Sequence, residues 1–185
     1  MQIQDGHGTG NQAQVNDEGR LQVGAITYSA ERHANEEEGQ AFHVLFSVSA
    51  TAANDCIFYM VNSSDSRNLI VGGIWLYVSA AVEVSVKLNA KGTRNSATAL
   101  TPVNCNASSG STADGTFENG VDLDGGAATL TGGSIVSMYK YIAETATHYV
   151  NFEQDIILPR NGTLTLWSNS GTPTVGGHVV FNYHE

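Results

Sequence analysis

The segment Val82-Glu83-Val84-Ser85-Val86-Lys87-Leu88 alternates apolar and polar residues without a break, the pattern of a strand with one face buried. Comparable stretches recur along the chain. Gly, Asn, Ser, Thr and Asp interrupt them at intervals of roughly 8 to 15 residues, and no stretch carries a convincing helical period. That rhythm constrains the fold more than any other feature. It predicts strands at about 21–28, 41–50, 55–62, 67–79, 82–88, 99–104, 134–142, 147–158, 162–168 and 175–184. About eight to ten antiparallel strands at this spacing imply two packed sheets. The expected class is all-β, an antiparallel β-sandwich of jelly-roll topology, with another sandwich as the alternative.

A chain of 185 residues fits a single such domain and can bury a core without a disulfide framework. Residues 1–20 differ from the rest. The run from Asp5 to Asn16 is too poor in apolar groups to hold itself in a core, so it reads as an extended arm, either frayed or ordered against a neighbour. The domain division is therefore an arm over 1–20 and a sandwich over 21–185. Residues 29–40, with Glu36-Glu37-Glu38 ended by Gly39, read as a solvated acidic loop. Gly72-Gly73 suggests a bulge inside a long strand. The final strand is expected to set Val179, Phe181 and Tyr183 on one face and His178, Asn182 and His184 on the other. Residues 89–133 are the least regular, and the loops 106–120 and 120–133 are the places to expect partner contacts after the arm.

Charge excludes several functions. Eighteen acidic residues face eight scattered Lys and Arg, for a formal net charge of −10. Nucleic-acid binding needs clustered cations, so neither nucleic acid nor an anionic membrane is an expected partner. No apolar run is long enough to span a bilayer, and the N-terminus lacks the pattern of a signal peptide. A reducing cytoplasm follows as the expected site of synthesis, where Cys56 and Cys105 are thiols rather than a bridge. Cys56 lies in the apolar run 56–61 and reads as inert.

Chemistry is sparse. The Gly-rich arm lacks the Lys-Ser or Lys-Thr ending of a phosphate loop. Asp122-Leu123-Asp124-Gly125-Gly126, near Asp114, Glu118 and Asn119, offers oxygens for calcium but fits a tight turn better. His7, His33, His43, His148, His178 and His184 show no metal-ligand spacing. His178 and His184 share a face roughly 20 Å apart. Paired carboxylates are possible on paper, for instance Glu153 and Asp155, and the apolar Phe152, Ile156 and Leu158 explain these as an ordinary amphipathic strand. No enzyme, cofactor or metal is expected. Trp75, Tyr77, Tyr139, Tyr141, Trp167 and Tyr183 can be read as a sugar platform, although aromatics on strands more often serve core or interface. Trp75 and Tyr77 alternate with Ile74, Leu76 and Val78, so that strand is apolar on both faces. It must lie between two layers or be covered by another subunit.

Three blocks carry a family likeness. The opening runs Asp5-Gly6-His7-Gly8-Thr9-Gly10, then Ala13, Val15, Asn16 and Gly19-Arg20-Leu21-Gln22-Val23. The middle block is Leu100-Thr101-Pro102-Val103-Asn104-Cys105-Asn106 with Ser108-Ser109-Gly110. The late block runs from Phe152 to Gly162. Together they resemble small structural proteins of tailed bacteriophage virions. The resemblance implies a component of the particle, first a capsid decoration or cement protein. Such a protein binds the major capsid protein of the assembled shell as a homotrimer, on the capsid exterior, after synthesis in the host cytoplasm. It also implies that arm residues, among them Ile3, Asp5, His7, Thr9, Gln12 and Val15, contact a neighbouring subunit or the capsid. The alternatives are a tail or head fibre protein that binds a host-surface glycan and, from another class, a carbohydrate-binding module.

Overall fold

The computed structural model describes the backbone of residues 14–15, 21–22, 30–142 and 147–184, and the side chains of 32–136 and 147–184. The elements are β1 (Gln14–Val15), β2 (Leu21–Gln22), α1 (Ala30–Glu36), β3 (Ala41–Ser49), β4 (Asp55–Asn62), β5 (Asn68–Val78), β6 (Val82–Leu88), β7 (Thr98–Ala99), β8 (Val103–Asn104), β9 (Gly115–Asn119), β10 (Ser134–Ile142), β11 (Thr147–Leu158), β12 (Thr163–Ser168) and β13 (Thr174–His184). The expected all-β sandwich is present. One sheet has the order β10-β6-β12-β4-β9-β7, the other β11-β5-β13-β3-β8, and β1 pairs with β2. All the pairings are antiparallel. The chain crosses between sheets at nearly every connection of its long strands: β3, β5, β11 and β13 lie in one sheet and β4, β6, β10 and β12 in the other.

The core between the sheets follows from alternation. Val44 and Phe46 of β3, Ile74, Leu76 and Val78 of β5, and Val179, Phe181 and Tyr183 of β13 meet Phe58, Met60, Val84 and Leu164 of the opposite sheet. Aromatic rings tie the layers together. Phe181 stacks on Phe42 (5.6 Å) and on Phe117 (5.1 Å), the latter from the other sheet. The bulge expected at Gly72-Gly73 is also present: Val180 pairs with Gly73 and Phe181 with Val71, which leaves Gly72 as the extra residue.

A second apolar cluster sits on the outer face of the six-stranded sheet. Segments 89–96 and 120–131 fold back over it and bring Ala90, Leu123 and Leu130 onto Cys56, Tyr59 and Trp167. Lys87 places its ammonium 3.5 Å from the Trp167 ring centroid, and Arg94 lies over Tyr59 while its Nε donates to Glu118. Ser85, expected on the polar face of its strand, pairs with Trp167 and is fully buried, its hydroxyl donating to Asn169 Oδ1 (3.2 Å). The loop at 120–133, a place to expect partner contacts, also covers its own sheet through Leu123 and Leu130.

Three further expectations are corrected. Residues 30–36 are a helix, not a loop. Arg32 pairs with Glu36 (2.8 Å) and His33 with Glu37 (3.3 Å) one turn on, and Ala34 is buried where α1 packs on β3 and β13. Gly39, at φ +62°, then turns the chain into β3. Residues 115–119 form a strand although only Phe117 in them is large and apolar, because β9 completes the ladder beside β4. Glu153 and Asp155 lie within β11 but at a bulge rather than on an ordinary amphipathic stretch. Asn151 pairs with Gly73 and Ile156 with Val71, so residues 152–155 bulge out, with Glu153 and Gln154 at positive φ. Asn182 is also buried.

Cys56 and Cys105 are not bridged to each other. Burial pushes the Cys56 thiol far above its ordinary range, and Asp124 adds to the shift. Cys56 should stay unmodified by an aromatic disulfide reagent in the native protein and react fully in denaturant, as read by mass spectrometry.

A charge-free aromatic face

The outer face of the five-stranded sheet is the part of the described surface least like that of an acidic protein. Register aligns Tyr149, Trp75, His178 and Leu45 in one row across β11, β5, β13 and β3. The row toward one end holds Thr147, Tyr77, Gly176 and Ser47. The row toward the other holds Asn151, Gly73, Val180, His43 and, on β8, Val103. Leu45 is 61% exposed, Val103 59%, Tyr149 45%, Tyr77 44% and Trp75 39%. No Asp, Glu, Lys or Arg stands in these three rows, on a chain whose net charge is −10. The two-layer expectation for β5 holds on one face only: Ile74, Leu76 and Val78 are in the core, while Trp75 and Tyr77 meet solvent.

The rings stand side by side like books on a shelf. Tyr149 stacks on Trp75 (4.7 Å, 29°), Trp75 on His178 (6.1 Å, 27°) and His178 on His43 (5.0 Å, 17°). Gly73 makes the first contact possible, since a Cβ there would meet the Tyr149 ring at 2.6–2.7 Å. Beside the stack lies a groove of about 550 Å3 bounded by Leu45, Ser47, Tyr77 and His178 and floored by Gly176 and Gly177. Gly177 is required there because its Cβ would fall 1.8 Å from the Trp75 carbonyl oxygen.

This geometry fits a sugar platform poorly. Stacking engages the ring faces of Trp75, and Trp167 and Tyr183 are buried; the side chains of Tyr139 and Tyr141 lie outside the described residues. Tyr77, Phe46 and His178 are the ring-bearing residues of the groove, and its polar side chains are Ser47 and His178. Sugars are held by several hydrogen-bonding side chains at once, and this lining is mostly apolar.

Burial in the stack, and then the neighbouring His43, hold the His178 pKa below its ordinary 6.5. The groups that face it are His43 on β3 and, on β5 and β11, only the phenols Tyr77 and Tyr149 among titratable side chains. With the folded value depressed, the unfolded chain binds the extra proton as pH falls through 6.5, so stability declines below that pH and is whole above it. Replacing His178 by Gln should flatten the fall in melting temperature between neutral and mildly acidic pH.

The sites read from sequence lie elsewhere. Ile3, Asp5, His7, Thr9 and Gln12 fall outside the described residues, and Val15 appears only as the backbone partner of Leu21. In the acidic turn, Asp124 accepts the Cys56 N–H (2.6 Å) and the Asp122 carbonyl accepts the Gly125 N–H. Among the described residues no three His, Cys, Asp or Glu side chains gather as a metal site, and no helix is long and apolar enough to cross a membrane. Sequence reasoning flagged Trp75 and Tyr77 but missed Leu45, Tyr149 and the His43–His178 pair, which only strand register brings together. The one readable signal was Gly176-Gly177, two glycines inside a strand. Compared with protein-family models, with curated proteins and with solved structures, the chain finds no match.

Proposed function

We propose that this chain is a structural protein of a tailed-bacteriophage virion, a capsid decoration or cement protein that binds the assembled shell as a homotrimer and stabilises it. One observation carries the reading: a net charge of −10 leaves a wide aromatic face without a single charged side chain, which is the chemistry of a protein contact. The resemblance of the three sequence blocks to virion structural proteins supports the setting. The alternation of β3, β5, β11 and β13 with β4, β6, β10 and β12 supports reading the sandwich as a jelly-roll. Stabilisation needs no catalytic residue. A subunit that binds the closed lattice better than its free components lowers the free energy of the shell, and symmetry multiplies modest contacts. The glycan-binding fibre alternative gains little from a groove so poor in hydrogen-bonding side chains.

The test mixes the full chain with phage shells stripped of decoration and measures co-sedimentation and shell melting. The expected result is saturable binding in multiples of three subunits and a higher shell melting temperature. Absence of binding to shells overturns the reading. Within it, the arm residues Ile3, Asp5, His7, Thr9, Gln12 and Val15 contact a neighbour. Deleting residues 1–16 should leave the domain folded by circular dichroism and weaken shell binding at least about tenfold. An unfolded truncation product would place the arm in the core instead.

A further inference from the structure

We propose that the outer face of the five-stranded sheet is the surface through which this chain associates with itself. A second copy covers the row Tyr149–Trp75–His178–Leu45 and seats an apolar side chain in the glycine-floored groove beside Tyr77. The proposal rests on the oligomer in the function above and names its interface.

Charge selects the occupant. Two copies of a chain at −10 repel wherever their carboxylates oppose, and like charges facing each other across an interface cost several kcal/mol. The three rows of this face hold no carboxylate, so a second copy approaches here without that cost. A basic partner would gain nothing from a neutral face and would be drawn to the acidic remainder of the surface.

The other routes to association are poorer. Around Tyr59 and Trp167 the outer face of the six-stranded sheet is covered by segments 89–96 and 120–131 of the same chain, which leaves Ile135 of β10 exposed beside it. Extension of the five-stranded sheet from its edge is blocked at β11, where the bulge at 152–155 breaks the ladder and projects Glu153 and Asp155. The opposite edge, β8, is two residues long. The face itself is prepared for contact. Its rings are held in a fixed stack, so little side-chain freedom is lost on binding. The groove spans the two strand spacings from β5 to β3, roughly 10 Å, which is room for one inserted side chain.

The experiment is light scattering during size exclusion of the full chain over a range of concentrations, beside Leu45→Asp, Tyr77→Ser and, on exposed strand β10, Ile135→Asp. Circular dichroism checks each fold. Leu45 and Tyr77 are exposed, so both variants should fold. The expected result is a wild-type oligomer that both face variants weaken at least about tenfold, while Ile135→Asp keeps the wild-type mass. A wild-type monomer at all concentrations overturns the proposal, as does a folded Leu45→Asp or Tyr77→Ser that retains the oligomer, or dissociation by Ile135→Asp alone. Shell binding, measured in parallel, separates this result from the function. Dissociation by the face variants with no wild-type binding to shells sustains the interface and rejects the virion role. Shell binding by an oligomer that the face variants leave intact does the reverse.

Discussion

Truncating Phe181 to alanine should destabilise the fold by about 3–5 kcal/mol, the range for a fully buried phenylalanine. Phe181 is 1% exposed and its ring is gripped from three sides: Phe42 stacks at 5.6 Å, Phe117 at 5.1 Å, and Tyr183 meets it edge-on at 6.0 Å. Phe117 comes from β9 of the opposite sheet, so the void would open between the layers, where neither sheet can collapse without shearing its own ladder. For a chain of this size each kcal/mol shifts the melting temperature by about 2–4 °C, which predicts a drop of roughly 6–20 °C. Urea unfolding should show the same loss as a lower midpoint at unchanged slope. A loss below about 1 kcal/mol would mean that the three rings do not pack as described.

Much of this core was legible beforehand because it obeys a local rule. Alternation alone put Val179, Phe181 and Tyr183 on one face, and the last strand does bury them together. The same rule failed on the outer face of the six-stranded sheet. Ser85 looked like a solvent position and is buried, since nothing in its own segment announces that Trp167 will pair beside it and Asn169 will accept its hydroxyl. The strand at 115–119 was missed for a related reason: it has one large apolar residue, and its partner strand supplies the rest of its stability. The aromatic face was half legible. Trp75 and Tyr77 marked β5 as apolar on both sides, but His43 and His178 are 135 positions apart and meet only through the register of β13 on β3. Register is a property of two segments, and no single segment carries it. The helix at 30–36 was misread because its charges outnumber its apolar residues. Arg32–Glu36 pairing and the buried side chain of Ala34 stabilise it.

The paired glycines of β13 give the second large prediction, because they are neighbours with opposite requirements. A Cβ on Gly177 would lie 1.8 Å from the carbonyl oxygen of Trp75 and 2.8 Å from its carbonyl carbon. Those atoms belong to the backbone of β5, so no side chain can swing aside; the strands must part in the middle of the sheet. Gly177→Ala should therefore cost about 3 kcal/mol or more and lower the melting temperature by roughly 6 °C at least. Gly176 faces the groove, and its added Cβ would meet nothing nearer than the Phe46 oxygen and Ser47 Oγ at 3.4 Å. Gly176→Ala should change stability by no more than about 1 kcal/mol while raising the groove floor. Thermal melts of the two proteins separate backbone fit from site shape. If Gly177→Ala melts with the wild type, the close approach of β13 to β5 at Trp75 is wrong. If Gly176→Ala keeps its melting temperature but loses self-association, the shallow floor between Tyr77 and Leu45 is there to receive a side chain from the next copy, not to relieve crowding within the sheet.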